Sequence, residues 1–515
     1  MTPAIRAQDP MLQVERIGLA IGLIAAVVLM WPLRAHVTDD TYVHLQYARH
    51  LAQGSGPVFN SGEHVYGCTS PLWTALLADA IALGWNGLVV SRVIGFVATL
   101  VTIPLFLQLM RRTLRLPALR AFAIVAWAFN AWMLRWSTSG METPLAVALT
   151  LAGFVAFTEG RQWGSRPVRT GALWSLAAMT RPEAVFLLVL WGILMLVDTN
   201  NRGQLRRLVY GLMPPIAIYG SWLLFARFSF GSFWPRSIAA RSVEPAGFSS
   251  LLDQVRLIAE TDGIFMLLLA VSLVFGGRAV WNRGTPGAQR LLPLLWIVSL
   301  PMLLVARGVP ASSRYIVVLL PVLAWLAWLA ADRWWLGEEP ESRPRRTQAM
   351  VLGFAVMAVV VVLNLGIYRQ IVHPRVIRSS DILRASLVHW GDWFGQHSEP
   401  GASIASKEVG ALAYHSQRRV YDLTGFISPE LEPHMRGGGD PIAAFAFAKV
   451  ARPTFLVDRS TRAFDLIERS PYGAALTPLG RAPAYISRAR NDSVYTFYKI
   501  DWSVYDTLRT RAVTP

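Results

Sequence analysis

A polytopic α-helical membrane protein with an α/β domain near its carboxyl end is the fold class this sequence predicts. Three observations predict it. Of the 515 residues, 53% are hydrophobic and only 16% are charged, whereas soluble proteins carry about 25% charged residues. Apolar stretches recur from Ile17 to Gly366, among them "IGLAIGLIAAVVLMWPL" and "AMVLGFAVMAVVVVLNLGIY", each close to the ~20 residues that cross hydrocarbon as a helix. From about residue 373 the apolar runs become short, and Gly, Pro and charged residues punctuate them.

The net charge of +17 does not call for a nucleic-acid partner. Arg clusters stand between the hydrophobic segments, and retention of cationic loops in the cytoplasm accounts for them. The one cysteine, Cys68, excludes an intrachain disulfide. Arg6 and Arg16 precede a first apolar run that is long for a signal peptide and lacks a small-residue cleavage site. It reads as a retained helix that starts in the cytoplasm, so Asp39 and Asp40 emerge outside.

The basic loops order the remaining spans. Arg111, Arg112, Arg115 and Arg120 form a cytoplasmic cluster, so the helix near 91–110 enters from outside. "SPLWTALLADAIALG" (70–84) carries Asp79 and is short; it is expected to be an interfacial or re-entrant helix. Helices near 118–136 and 143–159 flank the outer tip "STSGMET", and helices near 170–181 and 183–198 meet outside at "TRPE". A helix near 207–228 leads to an outer loop over 229–260, followed by helices near 263–281, 289–306, 314–331 and 348–367. About eleven spans result, and their parity puts the carboxyl-terminal segment outside.

That segment is expected to form a compact α/β domain, with domains over 1–370 and 371–515. "SDILRASLVHWGDWFGQH" has Asp381 or Ser380 as a cap and apolar residues at helical spacing. "SIASKEVGALAYHSQRRVYDLTGF" reads as strands and turns, "PTFLVD" as a buried strand, and "SVYTFYKI" as an alternating strand.

Four features on the predicted outer face carry candidate chemistry. Asp39 and Asp40 open a stretch in which Val43, Tyr47, Ala48 and Leu51 fall at helical spacing. Capping a helix N-terminus is the ordinary work of such a pair, and it also fixes a carboxylate as a general base requires. Glu142 sits in the tip "SGMET", where a cap and a functional charge are both open readings. Arg181 of "TRPEA" either binds a lipid phosphate or pairs with Glu142 or Glu183. Arg236 and Arg241 stand beside Phe233 and Trp234, as interface anchors or as anion-binding cations. Arg307 and Arg314 also lie outside, which favours an anionic ligand there. No P-loop, dinucleotide glycine fingerprint or zinc spacing occurs, so a donor would have to arrive already activated in the outer leaflet.

The stretch from Asp39 to Trp73 resembles the first outer loop of bacterial GT-C glycosyltransferases that use polyprenyl-phosphate donors. The cell-wall arabinofuranosyltransferases of the terminal β-1,2 type resemble it most. Asp39, Asp40, Tyr42, Tyr47, Ala48, Gly54, Gly56, Phe59, Asn60, Gly62, Glu63, Val65, Gly67, Thr69, Leu72 and Trp73 match their pattern in order. The likeness continues at "SGMETPL", "TRPEA", "SSRYIVVLLPVLA" and "VGALAYHSQRRVYDLTGFISPEL". Departures occur at Tyr66, Cys68 and Ser70, where the family has Glu, Tyr and Asn. A further one is Arg236, where the family has Asn, while Arg241 keeps the cation of its Lys position.

The resemblance implies a GT-C-like transmembrane catalytic part with interfacial helices in the first outer loop, and an extracytoplasmic (periplasmic) α/β domain. It implies inverting transfer of a sugar, with arabinofuranose favoured, to a glycan or lipid-linked acceptor at the outer face of the bacterial cytoplasmic membrane, in cell-wall biogenesis. By analogy Asp39 is the base and Asp40 its positioning partner. Arg241, Arg181, Arg314 and Arg236 are candidates for the donor phosphate, and Tyr42, Glu63, His64, Glu142 and Trp73 for substrate. The resemblance names no cofactor, and divalent-metal use stays open. The partners are thus a polyprenyl-phosphate sugar, an acceptor glycan and the lipid bilayer. Alternatives are a mannosyl or other hexosyl transferase of the same class, a lipid-linked sugar transporter or flippase, and a non-catalytic glycan-binding membrane protein.

Overall fold

The computed structural model describes residues 10–160, 162–199, 202–236, 248–281, 288–337, 343–431, 451–461, 473–484 and 493–513. Two compact units divide the chain: residues 1–34, 91–225 and 241–375 in the first, and 35–90, 226–240 and 376–515 in the second. Residues 35–90 therefore cluster with 376–515 rather than with the helices that flank them in sequence.

The first unit is helical. Among the described residues, six helices are long and apolar enough to cross a membrane: Gln13–Leu33, Gly87–Thr113, Arg202–Phe230, Ser249–Phe275, Ala288–Ala306 and the apolar start of Arg343–His397. The other segments expected to span are shorter helices, including Thr143–Phe157, Pro167–Thr180, Glu183–Val197 and Leu320–Leu336. The segment near 118–136 is not one span. It breaks into Pro117–Ala128 and Ala131–Trp136 at Asn130, whose side chain accepts from the Met133 amide at 3.0 Å. A helix end inside an apolar unit leaves amides to satisfy. Asn364 Oδ1 accepts from the Ala131 amide at 2.8 Å, and Asn130 Nδ2 donates to Asp262 Oδ2 at 2.9 Å.

The outer loop expected over 229–260 is shorter than the sequence suggested, because a helix already runs over Phe248–Trp281. Small residues set the helix spacing elsewhere. A Cβ on Gly153 would stand 2.1 Å from Trp174 Nε1, and one on Gly95 would stand 2.5 Å from the Ser137 carbonyl oxygen.

The second unit holds a five-stranded sheet of order β2-β1-β3-β5-β4, with β1 over Ser403–Ser406, β2 over Arg419–Asp422, β3 over Phe455–Thr461, β4 over Leu476–Pro483 and β5 over Ser493–Ile500. β1 pairs parallel with β2 and β3, while β5 pairs antiparallel with β3 and β4. "PTFLVD" and "SVYTFYKI" are strands, but β5 does not alternate: Tyr495, Thr496, Phe497 and Tyr498 are all buried. An interior strand covered on both faces has no reason to alternate. Between β1 and β2 the expected strand-and-turn reading misses a helix, Gly410–Ser416.

Nor does a cap stand at Ser380 or Asp381. Both lie inside one helical stretch, Arg343–His397, where Ser380 Oγ donates to the Val376 carbonyl at 2.8 Å. The stretch continues because its apolar side packs on the sheet. Trp390 stacks on Phe497 with ring centroids 4.2 Å apart, and Phe394 meets Phe455 at 4.5 Å.

Candidate functional site

The helix Asp39–Ala52 begins with Thr38 as its N-cap. The Thr38 amide donates to Thr41 Oγ1 at 3.3 Å, and the two hydroxyls lie 3.0 Å apart. Asp39 and Asp40 therefore occupy the first turn, where carboxylates suit the positive end of a helix, but neither is the cap. That job is done by Thr38, which leaves the Asp39 side chain available for something else.

Asp39 uses both oxygens on a distant backbone. Oδ2 accepts from the Gly410 amide at 3.0 Å and Oδ1 from the Ala411 amide at 2.8 Å. The approach is close enough to require glycine: a Cβ on residue 410 would lie 2.1 Å from the Asp39 carbonyl oxygen and 3.0 Å from Val43 Cγ2. Loss of water around the half-buried carboxyl pushes its pKa up to about 7, against the two amide bonds that pull it down; Asp40 and Glu408 push it further up. Glu408 is itself ion-paired with Arg459, and its own pKa is raised by burial. Asp40 is exposed.

The other first-loop residues take structural partners. Tyr42 is buried, its ring 5.5 Å from Tyr414 and 5.0 Å edge-on to His415. Asn60 clamps the edge strand β2, with Nδ2 donating to the Val420 carbonyl at 3.0 Å and Oδ1 accepting from the Val420 amide at 3.1 Å. Glu63 receives Asn60 Nδ2 at 3.0 Å and pairs with Arg419 of the same strand. Gly62 turns the chain between them at φ +81°, a conformation that suits glycine. His64 is exposed and Trp73 is fully buried in the helix Pro71–Ala82. The Arg236 amide donates to the Tyr66 carbonyl at 2.8 Å, while Tyr66 stacks on Phe230 at 5.1 Å. Arg241 lies outside the described residues.

In the first unit the three tips expected outside come together. Glu142 Oε1 meets Arg181 Nη1 at 3.2 Å and Arg314 Nη2 at 3.1 Å, and Arg181 Nη2 meets Glu183 Oε1 at 3.1 Å. Arg181 also donates to Thr143 Oγ1 at 3.1 Å and lies 5.0 Å from the centroid of the Tyr315 ring. Two guanidiniums face two carboxylates, with Glu142 1% and Arg181 3% exposed. Burial this deep tolerates charge only when it is paired.

Several participants escaped the sequence reading. Gly410 and Ala411 act through backbone amides, which no side-chain pattern announces. Apart from that contact, the first unit buries Asp262 with Asn130 and Thr261 as its hydrogen-bond partners, signalled only by a charge at the head of "DGIFMLLL". Among the described residues, no group of three or more His, Cys, Asp or Glu is arranged to hold a metal ion.

Comparison with known proteins bears out the resemblance read from the sequence. Residues 377–509 match a domain of unknown function, DUF8728. The chain is 26% identical over 305 residues to the terminal β-(1→2)-arabinofuranosyltransferase of Corynebacterium glutamicum; the match covers 51% of this chain and 41% of that relative's length. In fold it is similar to ArnT from Cupriavidus metallidurans bound to undecaprenyl phosphate, with a TM-score of 0.60 at 14% identity over 93% of this chain and 97% of that one. It is also similar to the mycobacterial arabinofuranosyltransferase AftD, with a TM-score of 0.53 at 14% identity over 94% of this chain and 41% of that one. These neighbours are GT-C glycosyltransferases, and the chain has the GT-C fold with a small sheet domain near its carboxyl end. It is a multi-pass membrane protein.

Proposed function

We propose that this chain is a glycosyltransferase that moves a sugar, arabinofuranose in the favoured reading, from a polyprenyl-phosphate donor to a glycan acceptor. The single observation that carries the proposal is the Asp39 carboxyl, fixed by two amides and raised to about 7, at the head of the loop that resembles arabinofuranosyltransferases. A base held in position with a pKa near the working pH takes a hydroxyl proton efficiently. Similarity to an arabinofuranosyltransferase supports the sugar, and the ArnT neighbour bound to undecaprenyl phosphate supports the lipid carrier.

In this reading the acceptor oxygen attacks the anomeric carbon as its proton passes to Asp39. The bond from that carbon to the phosphate oxygen breaks, the lipid phosphate leaves, and one displacement inverts the configuration. Asp40, adjacent in the first turn, tunes and positions Asp39. The leaving phosphate needs cations, for which Arg236, Arg241, Arg181 and Arg314 are the candidates. The last two are already balanced by Glu142 and Glu183. Residues 1–370 would carry the lipid-facing chemistry and 371–515 an extracytoplasmic domain at the outer face of the bacterial cytoplasmic membrane.

The test is turnover by the purified chain in lipid nanodiscs, offered decaprenyl-phosphate arabinofuranose and, separately, a polyprenyl-phosphate hexose. Transfer from the first supports the proposal. Transfer from the hexose donor alone would change the sugar, and transfer from neither would leave a transporter or a glycan-binding protein as the better account.

A further inference from the structure

The far end of the Asp39–Ala52 helix opens onto a cavity of about 440 Å³, lined by Gln46, Arg49, His50 and Gln53 from that helix, by Asn60 to Glu63, and by Gln417 to Arg419. It lies wholly within the second unit. Ten residues of helix separate Asp39 from Arg49, about 15 Å along the axis. The cavity is thus apart from the candidate base.

Three guanidiniums against one carboxylate suggest, at first, a pocket for an anion. The hydrogen bonds argue otherwise. Arg418 donates to Ser398 Oγ at 3.1 Å and to the carbonyls of Ser416, Gly395 and Ser398 at 3.2, 2.9 and 2.7 Å. A guanidinium has five N–H donors, so little capacity is left. Arg49 donates to the Tyr414 carbonyl at 2.9 Å and to Gln46 Oε1, and its guanidinium lies 4.9 Å from the centroid of the Tyr414 ring. Arg419 is paired with Glu63. The helices Asp39–Ala52, His389–His397 and Gly410–Ser416 all end here, and helix carboxyl ends are negative and favour cations. Protein carbonyls, Ser398, Gln46 and Glu63 thus take up much of the guanidinium donor capacity.

What remains to face the cavity is neutral and two-sided. Gln53 and Gln417 are exposed at its rim with amides that both donate and accept, and Ser61 adds a hydroxyl. His50 Nδ1 lies 3.0 Å from the Val58 carbonyl, so Nδ1 carries the proton, and burial lowers the ring's pKa. Gln417 is held at φ +54°, the one described non-glycine residue in the left-handed region. That turn ends the 410–416 helix and directs residues 417–419 along the cavity wall. A non-glycine residue in this conformation carries a cost that the surroundings must support.

We infer that this cavity is a saccharide subsite that takes a neutral sugar segment of the acceptor chain, several units from the hydroxyl that reacts. The inference rests on the glycosyltransferase reading for the word acceptor, but not for the binding itself. Alternating donors and acceptors match vicinal hydroxyls, whereas a phosphate would need donors free of other partners.

The experiment is binding of linear arabinofuranosyl and mannosyl oligosaccharides to the full chain in nanodiscs, by saturation-transfer NMR and calorimetry. Wild type is compared with the double variant Gln53→Ala/Gln417→Gly. Glycine at 417 keeps the left-handed turn, and an unchanged thermal midpoint confirms the fold. Loss of two amides is expected to weaken binding of one oligosaccharide series roughly tenfold, and millimolar inorganic phosphate is expected not to displace it. Equal affinity in both proteins, no saccharide binding by wild type, or displacement by phosphate would each overturn the inference. Turnover of Asp39→Asn is scored separately: activity surviving there removes the catalytic reading and leaves the binding result standing.

Discussion

The Gly410 amide donates to Asp39 Oδ2 across 3.0 Å although 371 residues separate the two in sequence. A carboxylate that follows the first apolar helix is thereby held by backbone from the carboxyl-terminal segment, within one structural unit. The first three expectations below follow from that contact.

Asp39→Asn is expected to reduce sugar transfer ~100- to 10,000-fold, the usual cost of losing a general base, while the protein still inserts and folds. Turnover in nanodiscs measures it. Near-normal turnover would sink the assignment, and a severe loss in Asp40→Asn alone would make Asp40 the base.

Gly410→Ala introduces a Cβ where only 2.1 Å separates it from the Asp39 carbonyl oxygen. Backbone must move, so Asp39 loses its amide partners. Overpacking of this kind costs about 1–3 kcal/mol, read as a lower thermal midpoint, and transfer should fall with it. A variant with wild-type stability and rate would show that the contact is dispensable.

The raised pKa of Asp39 sets a pH dependence. If the ionised carboxyl is the base, transfer should rise as pH increases through about 7 and level off above it. Stability runs the other way. The folded carboxyl binds its proton more tightly than the unfolded one, so this group's contribution falls as pH rises from about 3.8 through about 7. Rate and unfolding measured over pH 5 to 9, in wild type and Asp39→Asn, separate the two; a wild-type rate flat through 7 contradicts the first.

The buried ion cluster predicts a non-additive pair. Arg181→Met takes the guanidinium from Glu183 and leaves Glu142 with Arg314, and breaking a buried pair costs about 3–5 kcal/mol. Glu183→Gln in the same chain should recover part of that loss, because Glu142 keeps Arg314 while Glu183 loses its guanidinium. Thermal unfolding in detergent of the two single variants and the double variant checks the coupling. Strict additivity would mean that the network is not a unit.

Asn60→Ala should lower stability by about 1–3 kcal/mol, since both the Val420 amide and carbonyl at the β2 edge lose their partner. Hydrogen exchange at Val420 should rise with it. Protection equal to wild type would mean that another group covers the edge.

Much of this was legible in the residues. Apolar runs announced the membrane class because hydrocarbon admits only helices that satisfy their own backbone. "SGMET" and "TRPEA" left Arg181 two readings, a lipid phosphate or a pairing with Glu142 or Glu183, and the structure shows it paired with both carboxylates. β3 and β5 were visible as strands, although β5 was expected to alternate and does not.

Other features were out of reach for identifiable reasons. Asn130 interrupts a run that hydropathy reads as one span, and the partners that make the break tolerable, Asp262 and Asn364, come from elsewhere in the chain. In the first loop Tyr42, Glu63, His64 and Trp73 were candidates for substrate, and Asn60 was part of the matched pattern. Asn60 and Glu63 in fact bind β2, a use that needs β2 to be present before it can be seen.

Local chemistry, then, is what the sequence determined by itself: which segments are apolar, which loops carry charge, and that a carboxylate pair follows the first apolar helix. Those properties depend on near neighbours and on solvent. Only the tertiary structure decided what the carboxylate touches. Gly410 and Ala411 act through amides that every residue possesses, and Gln417 and Arg418 gain their meaning from three helix ends that meet. Such contacts arise from chain closure over hundreds of residues, and no local pattern encodes them.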